Sequence, residues 1–112
     1  MFQEVLSSET SNDDWRVEIA DYLRNSSQKV ARKLRYKSTK YVLLDDQLYY
    51  KIVNGMLLKC LNQEEAKVLM GEVHEGICGA HQSAYRMKWI IHRTRYFWPM
   101  ILEDCFEYYK GC

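Results

Sequence analysis

Residues 41–61 switch this chain from a helical to an extended period, and that switch constrains the fold more than any other feature. Tyr41-Val42-Leu43-Leu44 reads as a short strand, Asp45-Asp46 as a turn, and residues 47–53 as a second strand rich in β-formers. Asn54-Gly55 is a two-residue hairpin signal, because both residue types accept a positive φ. Residues 56–61 return as a third strand. The pattern predicts a three-stranded antiparallel meander between two helical regions.

The flanks follow the helical period. Residues 1–12 form a polar leader. Asp13 or Asp14 is placed to cap a helix in which Trp15, Ile19, Tyr22 and Leu23 share one apolar stripe, and Asn25-Ser26-Ser27 ends it. A basic helical stretch follows, with Val30 and Leu34 one turn apart. Beyond the strands, Asn62 or Gln63 precedes a helix with Glu64 and Glu65 in its first turn, where acids suit the dipole, and His74 in its last. Gly76 and Gly79 let the chain fold back toward His81. Ser83 is the N-cap candidate for a helix over 84–93, with Met87, Ile90 and Ile91 inward. Trp98-Pro99 breaks it, and a third helix runs from Pro99 to Lys110, with Gly111 as its terminator. The expected core of this part is Val68, Leu69, Val73, Met87, Ile90, Ile91, Trp98, Leu102 and Phe106. Trp98 is expected as a core anchor.

At 112 residues, 47% of them hydrophobic, the chain has the composition of one folded domain, or of one small domain plus an appendage. No run is long and apolar enough to span a membrane, and the N-terminus carries no basic-then-apolar signal. An intracellular, reducing setting is the default, so the four cysteines read as metal ligands or packing residues before disulfides. The net charge of +1 hides segregation. Residues 1–23 carry Glu4, Glu9, Asp13, Asp14, Glu18 and Asp21 against Arg16, whereas residues 24–40 carry Arg24, Lys29, Arg32, Lys33, Arg35, Lys37 and Lys40 and no acid. Residues 82–102 repeat that bias with Arg86, Lys88, Arg93 and Arg95. Such patches attract polyanions, although solvated helix faces are the commoner meaning of a charge run.

Chemistry concentrates in His74-Glu75-Gly76-Ile77-Cys78-Gly79-Ala80-His81 and in Cys112. Imidazole nitrogen and thiolate sulfur are the donors a structural zinc ion prefers, and four of them close a tetrahedron. His74 at a helix end, His81 after a glycine loop and Cys112 after a helix-ending glycine supply three. The alternative is a pair of partly buried, hydrogen-bonded histidines. Cys78, in the loop between the histidines, is the reserve ligand. Cys105 lies seven residues before Cys112, about 10 Å along a continuous helix, too far to share an ion, and reads as a small core residue. Cys60 reads as strand packing, and His92 as a surface or hydrogen-bonded residue. A thiol redox enzyme is disfavoured, because no Cys-x-x-Cys pair is present.

These motifs together resemble a known family. His74, Gly79-Ala80-His81-Gln82-Ser83, Tyr96-Phe97-Trp98-Pro99-Met100 and Lys110-Gly111-Cys112 follow the order and spacing of the zinc-binding N-terminal (His-His-Cys-Cys) domain of retroviral-type integrases, in particular those of gypsy-type LTR retrotransposons. The likeness covers residues 62–112. Residues 41–51 resemble the extension preceding that domain in the polyprotein, and the helix after Asp14 resembles the linker behind the RNase H region. The family's fourth ligand would fall three residues after Cys112, so the zinc site is incomplete within residues 1–112.

The resemblance implies an α+β chain: a polar leader and helical linker (1–40), a three-stranded antiparallel β extension (41–61), and a three-helix, helix-turn-helix-like bundle folded around zinc (62–112). It implies His74, His81 and Cys112 as metal ligands. It implies a non-catalytic integrase module that supports subunit assembly and engages the ends of the element's DNA during integration. Strand transfer belongs to a separate domain with three metal-binding carboxylates, so this segment is not expected to be an enzyme. Arg86, Lys88, Arg93 and Arg95 are the expected DNA-binding residues, through sequence-independent phosphate contacts. DNA and a second copy are the expected partners, with no membrane and no small-molecule substrate, and the nucleus is the expected location after a cytoplasmic particle stage. The alternative is a dimerisation module from a truncated or domesticated element that touches no DNA, with Tyr49, Tyr50, Tyr108 and Tyr109 as exposed aromatic candidates.

Overall fold

The computed structural model describes residues 14–76 and 84–110. In chain order these form α1 (Trp15–Arg24), α2 (Arg32–Ser38), β1 (Tyr41–Leu44), β2 (Gln47–Lys51), β3 (Leu57–Cys60), α3 (Gln63–Gly76), α4 (Ala84–Arg93), β4 (Tyr96–Phe97) and α5 (Ile101–Lys110). The class is α+β, as expected. Two details differ. The sheet has four strands in the order β1-β2-β3-β4, and it is mixed.

The meander is antiparallel, with Tyr41 opposite Tyr50 and Tyr50 opposite Leu58. Its tight turn is at Asp45-Asp46, where both residues take positive φ (49° and 64°) between the paired Leu44 and Gln47. That is the two-residue geometry whose twist matches paired strands. The Asn54-Gly55 turn is longer than its dipeptide signal suggests. Ile52 and Met56 close a three-residue loop through Ile52 N to Met56 O at 3.0 Å, and only Gly55 there has positive φ (90°). Asn54 instead turns its side-chain oxygen to the Met56 N–H at 2.9 Å. The extra residue shortens both flanking strands relative to the expected spans.

The fourth strand comes from the segment after α4. Thr94 N–H bonds the carbonyls of Ile90 and Ile91, and Arg95 then takes φ 73°, a left-handed turn usually given to glycine. This lays Tyr96–Phe97 parallel to β3, with Lys59 N bonded to Arg95 O at 2.8 Å and Leu61 N to Phe97 O at 3.0 Å. The C-terminal helices are therefore joined to the sheet by main-chain hydrogen bonds, rather than standing as a bundle of three helices alone. After β4, Pro99 and Met100 form a turn and α5 begins at Ile101, two residues later than expected.

Local signals explain most element ends. Asp14 caps α1, accepting from Arg16 N at 3.0 Å. Asn62 and Glu65 form a reciprocal capping box at the start of α3, with Glu65 N to Asn62 Oδ1 at 2.8 Å and Asn62 N to Glu65 Oε1 at 2.9 Å. The expected Ser83 cap lies outside the described residues.

Two apolar clusters form the core. Ile19, Leu34, Tyr41, Leu48 and Cys60 join α1 and α2 to the sheet. Met70, Met87, Ile91, Trp98, Ile101 and Cys105 lie among the buried residues that join the last three helices. Val68 and Phe106, expected inside, are exposed. Along α3 the inward row is Ala66, Leu69, Met70 and Val73, spaced i, i+3, i+4, i+7, and Val68 lies out of phase with it. Phe106 is out of phase with the buried pair Ile101 and Cys105 in the same way.

Candidate functional site

His74 is the one member of the expected metal set among the described residues; His81, Cys112 and the reserve Cys78 lie outside them. It occupies the last turn of α3, half-buried. Its ring lies 5.3 Å from that of Tyr108 and 5.6 Å from that of Tyr109, on the last turn of α5. The end of α3 thus packs on the end of α5, a few residues before Cys112. Among the described residues no group of three His, Cys, Asp or Glu side chains is placed to hold a metal ion. The donor set His74, His81 and Cys112 fits zinc by chemistry, and its one described member is packed against the helix that leads to the thiol.

The two described cysteines are core residues. Cys60 is 1% exposed, and burial pushes its thiol up to about 12. Cys105 is fully buried, and burial with the nearby Asp104 carboxylate pushes its thiol up to about 11. Neither is a thiolate at neutral pH, so neither is an activated nucleophile. His92 is half-buried against Phe97, with ring centroids 6.1 Å apart. Burial lowers its pKa from 6.5, and the charge of Lys88 lowers it further. Among the described residues its Nε2 has no hydrogen-bond partner.

The four expected DNA-binding cations divide. Arg86 and Arg93 on α4 are exposed, as is Arg95 in the turn that follows, while Lys88 is half-buried. The Arg93 guanidinium lies 5.0 Å from the centre of the Trp89 ring. Trp89 is 56% exposed and Tyr85 62%, whereas the tyrosines expected at the surface are half-buried. Tyr50 stacks on Phe97 with centroids 3.9 Å apart and planes 6° apart, and Tyr108 and Tyr109 flank His74. Sequence reasoning missed Tyr85, Trp89 and Phe106. Their signal was phase: each falls opposite a buried row, which the helical period alone reveals.

A groove of about 480 Å³ separates α1 from the Trp98-Pro99-Met100 turn. Glu18, Lys37 and Asp104 line it along with Trp15 and Trp98. Both indole N–H groups are already committed, Trp15 to Leu61 O at 2.8 Å and Trp98 to Asp104 Oδ2 at 2.7 Å. The groove therefore offers a ligand no indole donor. At the start of α1, Arg16 joins Asp14 at 2.6 Å, the Cys60 carbonyl at 3.2 Å and Glu65 at 3.3 Å. Burial raises the Asp14 carboxyl, but the hydrogen bonds and charge of Arg16 outweigh it and hold the pKa below its usual value. This network fastens the start of α1 to β3 and α3. No helix among the described residues is long and apolar enough to cross a membrane.

No protein-family description matches the chain, and neither a curated protein nor a solved structure is significantly similar to it.

Proposed function

We propose that this chain is the non-catalytic N-terminal module of a gypsy-type retrotransposon integrase, with its preceding extension, serving subunit assembly and the holding of element DNA. The observation that carries the reading is the packing of His74, at the end of α3, against Tyr108 and Tyr109 at the end of α5. Those are the two helix ends from which the resemblance draws its ligands. His74, His81 and Cys112 would hold zinc, which when bound would cross-link the end of α3, the loop after it and the end of α5. Such a cross-link suits a C-terminal core this small. The acid-free α4, followed by Arg95, supplies positive charge for phosphates.

Two measurements test the reading. Zinc added to metal-free protein should raise the melting temperature, and His74→Ala should abolish the rise. A melting curve indifferent to zinc would remove the metal from the proposal. For DNA, a salt titration of duplex binding should show affinity falling steeply with salt. Neutralising Arg86, Lys88, Arg93 and Arg95 should reduce the log–log slope by roughly one unit for each phosphate that is no longer neutralised. An unchanged slope and affinity would take α4 out of the DNA-binding role.

A further inference from the structure

We infer that Trp89 on the outer face of α4 is a stacking platform for unpaired nucleotide bases, with Arg86 and Arg93 holding the phosphates on either side. The inference rests on the DNA half of the reading above and deepens it. It names the unpaired strand, rather than the duplex, as what this face takes.

Helical phase puts Trp89 opposite the buried row of Ala84, Met87 and Ile91. It is 56% exposed, and Tyr85, one turn before it, is 62% exposed. The Tyr85 ring meets the exposed Phe106 ring edge to face at 5.5 Å, which braces it against α5. Adjoining aromatics left in water oppose the ordinary hydrophobic preference and mark a binding surface. Arg86 lies one turn before Trp89 and Arg93 one turn after it, both exposed and on the same side of the helix. The Arg93 guanidinium sits 5.0 Å from the centre of the Trp89 ring, a cation–π contact that restrains the indole.

Ring chemistry and charge together select the occupant. An exposed ring gives a base a planar π surface shielded from water, and it does so for any base. Bases inside a duplex already have both faces covered by the stack, so the ring gains nothing there. An unpaired base brings bare faces and a phosphate on each side. The α-carbons of Arg86 and Arg93 stand about 10 Å apart along the helix axis, with Trp89 between them. A strand can therefore lay a base on the indole while its neighbouring phosphates meet the two guanidiniums, whose forked donors suit phosphate oxygens. Charge on this face permits it. α4 has no acid. Of the acids on α5, Asp104 accepts from the Trp98 indole and Glu107 pairs with Lys110 at 3.6 Å. Glu103, one turn before Phe106, remains as a single carboxylate against the two arginines. An apolar protein surface laid on Trp89 would strip water from both guanidiniums with nothing to offset that cost, whereas phosphates replace the lost water with charge-assisted hydrogen bonds.

Fluorescence anisotropy of the full chain with three labelled probes of equal length tests the inference: an oligothymidylate, the same backbone carrying abasic sites, and a blunt duplex. The two single strands present the same phosphates, so only the bases distinguish them. The oligothymidylate should bind roughly tenfold tighter than the abasic strand, the scale of one base stacked on an aromatic ring. Trp89→Ala should erase that preference and leave the abasic strand bound as before, while Trp89→Phe should keep part of it. Unchanged abasic binding also shows that the variant is folded. Arg86→Gln with Arg93→Gln should weaken both strands and lower the salt slope by about 0.7 for each phosphate no longer neutralised. The oligothymidylate should quench indole emission in the parent and not in Trp89→Phe. Equal affinity for the two single strands overturns the inference, and so does a Trp89→Ala chain that keeps the preference. Self-association of the DNA-free chain that Trp89→Ala abolishes also overturns it, by giving the face to protein. The duplex keeps the two readings apart. A chain that binds duplex without distinguishing the single strands sinks the platform alone. One that shows the Trp89-dependent preference and ignores duplex upholds the platform and sinks duplex binding alone. One that binds none of the three sinks both.

Discussion

Trp98→Ala should lower the stability of the folded chain by about 3–5 kcal/mol, a large share of the whole stability of a domain this size. Trp98 is 3% exposed and sits in the cluster that joins α3, α4 and α5. Removing the indole leaves a cavity in the cluster that holds Met87, Ile91 and Cys105, side chains that are themselves fully buried and have little room to collapse inward. It also strips Asp104 of the indole N–H that meets its carboxylate at 2.7 Å. Trp98→Phe separates the two losses. It keeps most of the ring but not the donor, and should cost about 1–3 kcal/mol, the range for a hydrogen bond to a charged group or a stranded partner. Urea denaturation followed by far-UV circular dichroism measures both. A midpoint for Trp98→Ala within error of the parent would mean that the cluster does not depend on its largest side chain.

The same tryptophan shows which parts of the fold were legible. Its burial could be read from the sequence, because an aromatic-Trp-Pro step between two amphipathic helices has few other uses. The helix over 84–93 was legible because Met87 and Ile91 recur one turn apart, although the turn at Thr94 and Arg95, not the later proline step, ends it. The meander was legible because strand pairing across short turns is local information, carried by Asp45-Asp46 and by Gly55. β4 was not. A two-residue strand exists only because β3, more than thirty residues earlier, offers an open edge (Lys59 and Leu61 bond across it). Nor did Arg95 announce its left-handed turn, since glycine is the usual residue there and arginine carries no such signal.

The core errors have one cause. Side-chain type puts Val68 and Phe106 inside, whereas Ala66 and Ala84 are inside on helical phase. Small residues carry little hydropathy, so their burial is visible only from the row they complete. The candidate site divides along similar lines. The place of His74 at the end of α3 was readable from the helical period, whereas its packing on Tyr108 and Tyr109 joins two segments that the sequence separates by more than thirty residues. The exposure of Tyr85 and Trp89 was legible only through phase, because each lies off the buried row of Ala84, Met87 and Ile91.

Trp15→Ala is the substitution expected to disturb the molecule most on its other side, by roughly 2–4 kcal/mol, at or just below the range for a fully buried tryptophan because Trp15 keeps some solvent contact. Among the described residues it is the partly buried side chain packed against both clusters. Its ring lies 5.8 Å from Tyr41 and 6.4 Å from Phe97, and its indole N–H reaches the carbonyl of Leu61 at 2.8 Å. Leu61 is itself buried and spends its N–H on Phe97, so losing Trp15 strands a carbonyl at the junction of β3, β4 and α3. The damage should be uneven. Cys60 lies in the cluster beneath α1 and Cys105 in the cluster of the last three helices. Both thiols are protected by burial, so site-resolved alkylation under native conditions reports where the structure opens. Trp15→Ala should speed modification of Cys60 more than that of Cys105, and Trp98→Ala should do the reverse. Equal acceleration at both cysteines in each variant would show that the two clusters open as one cooperative unit, with Trp15 welding them together rather than merely bridging them.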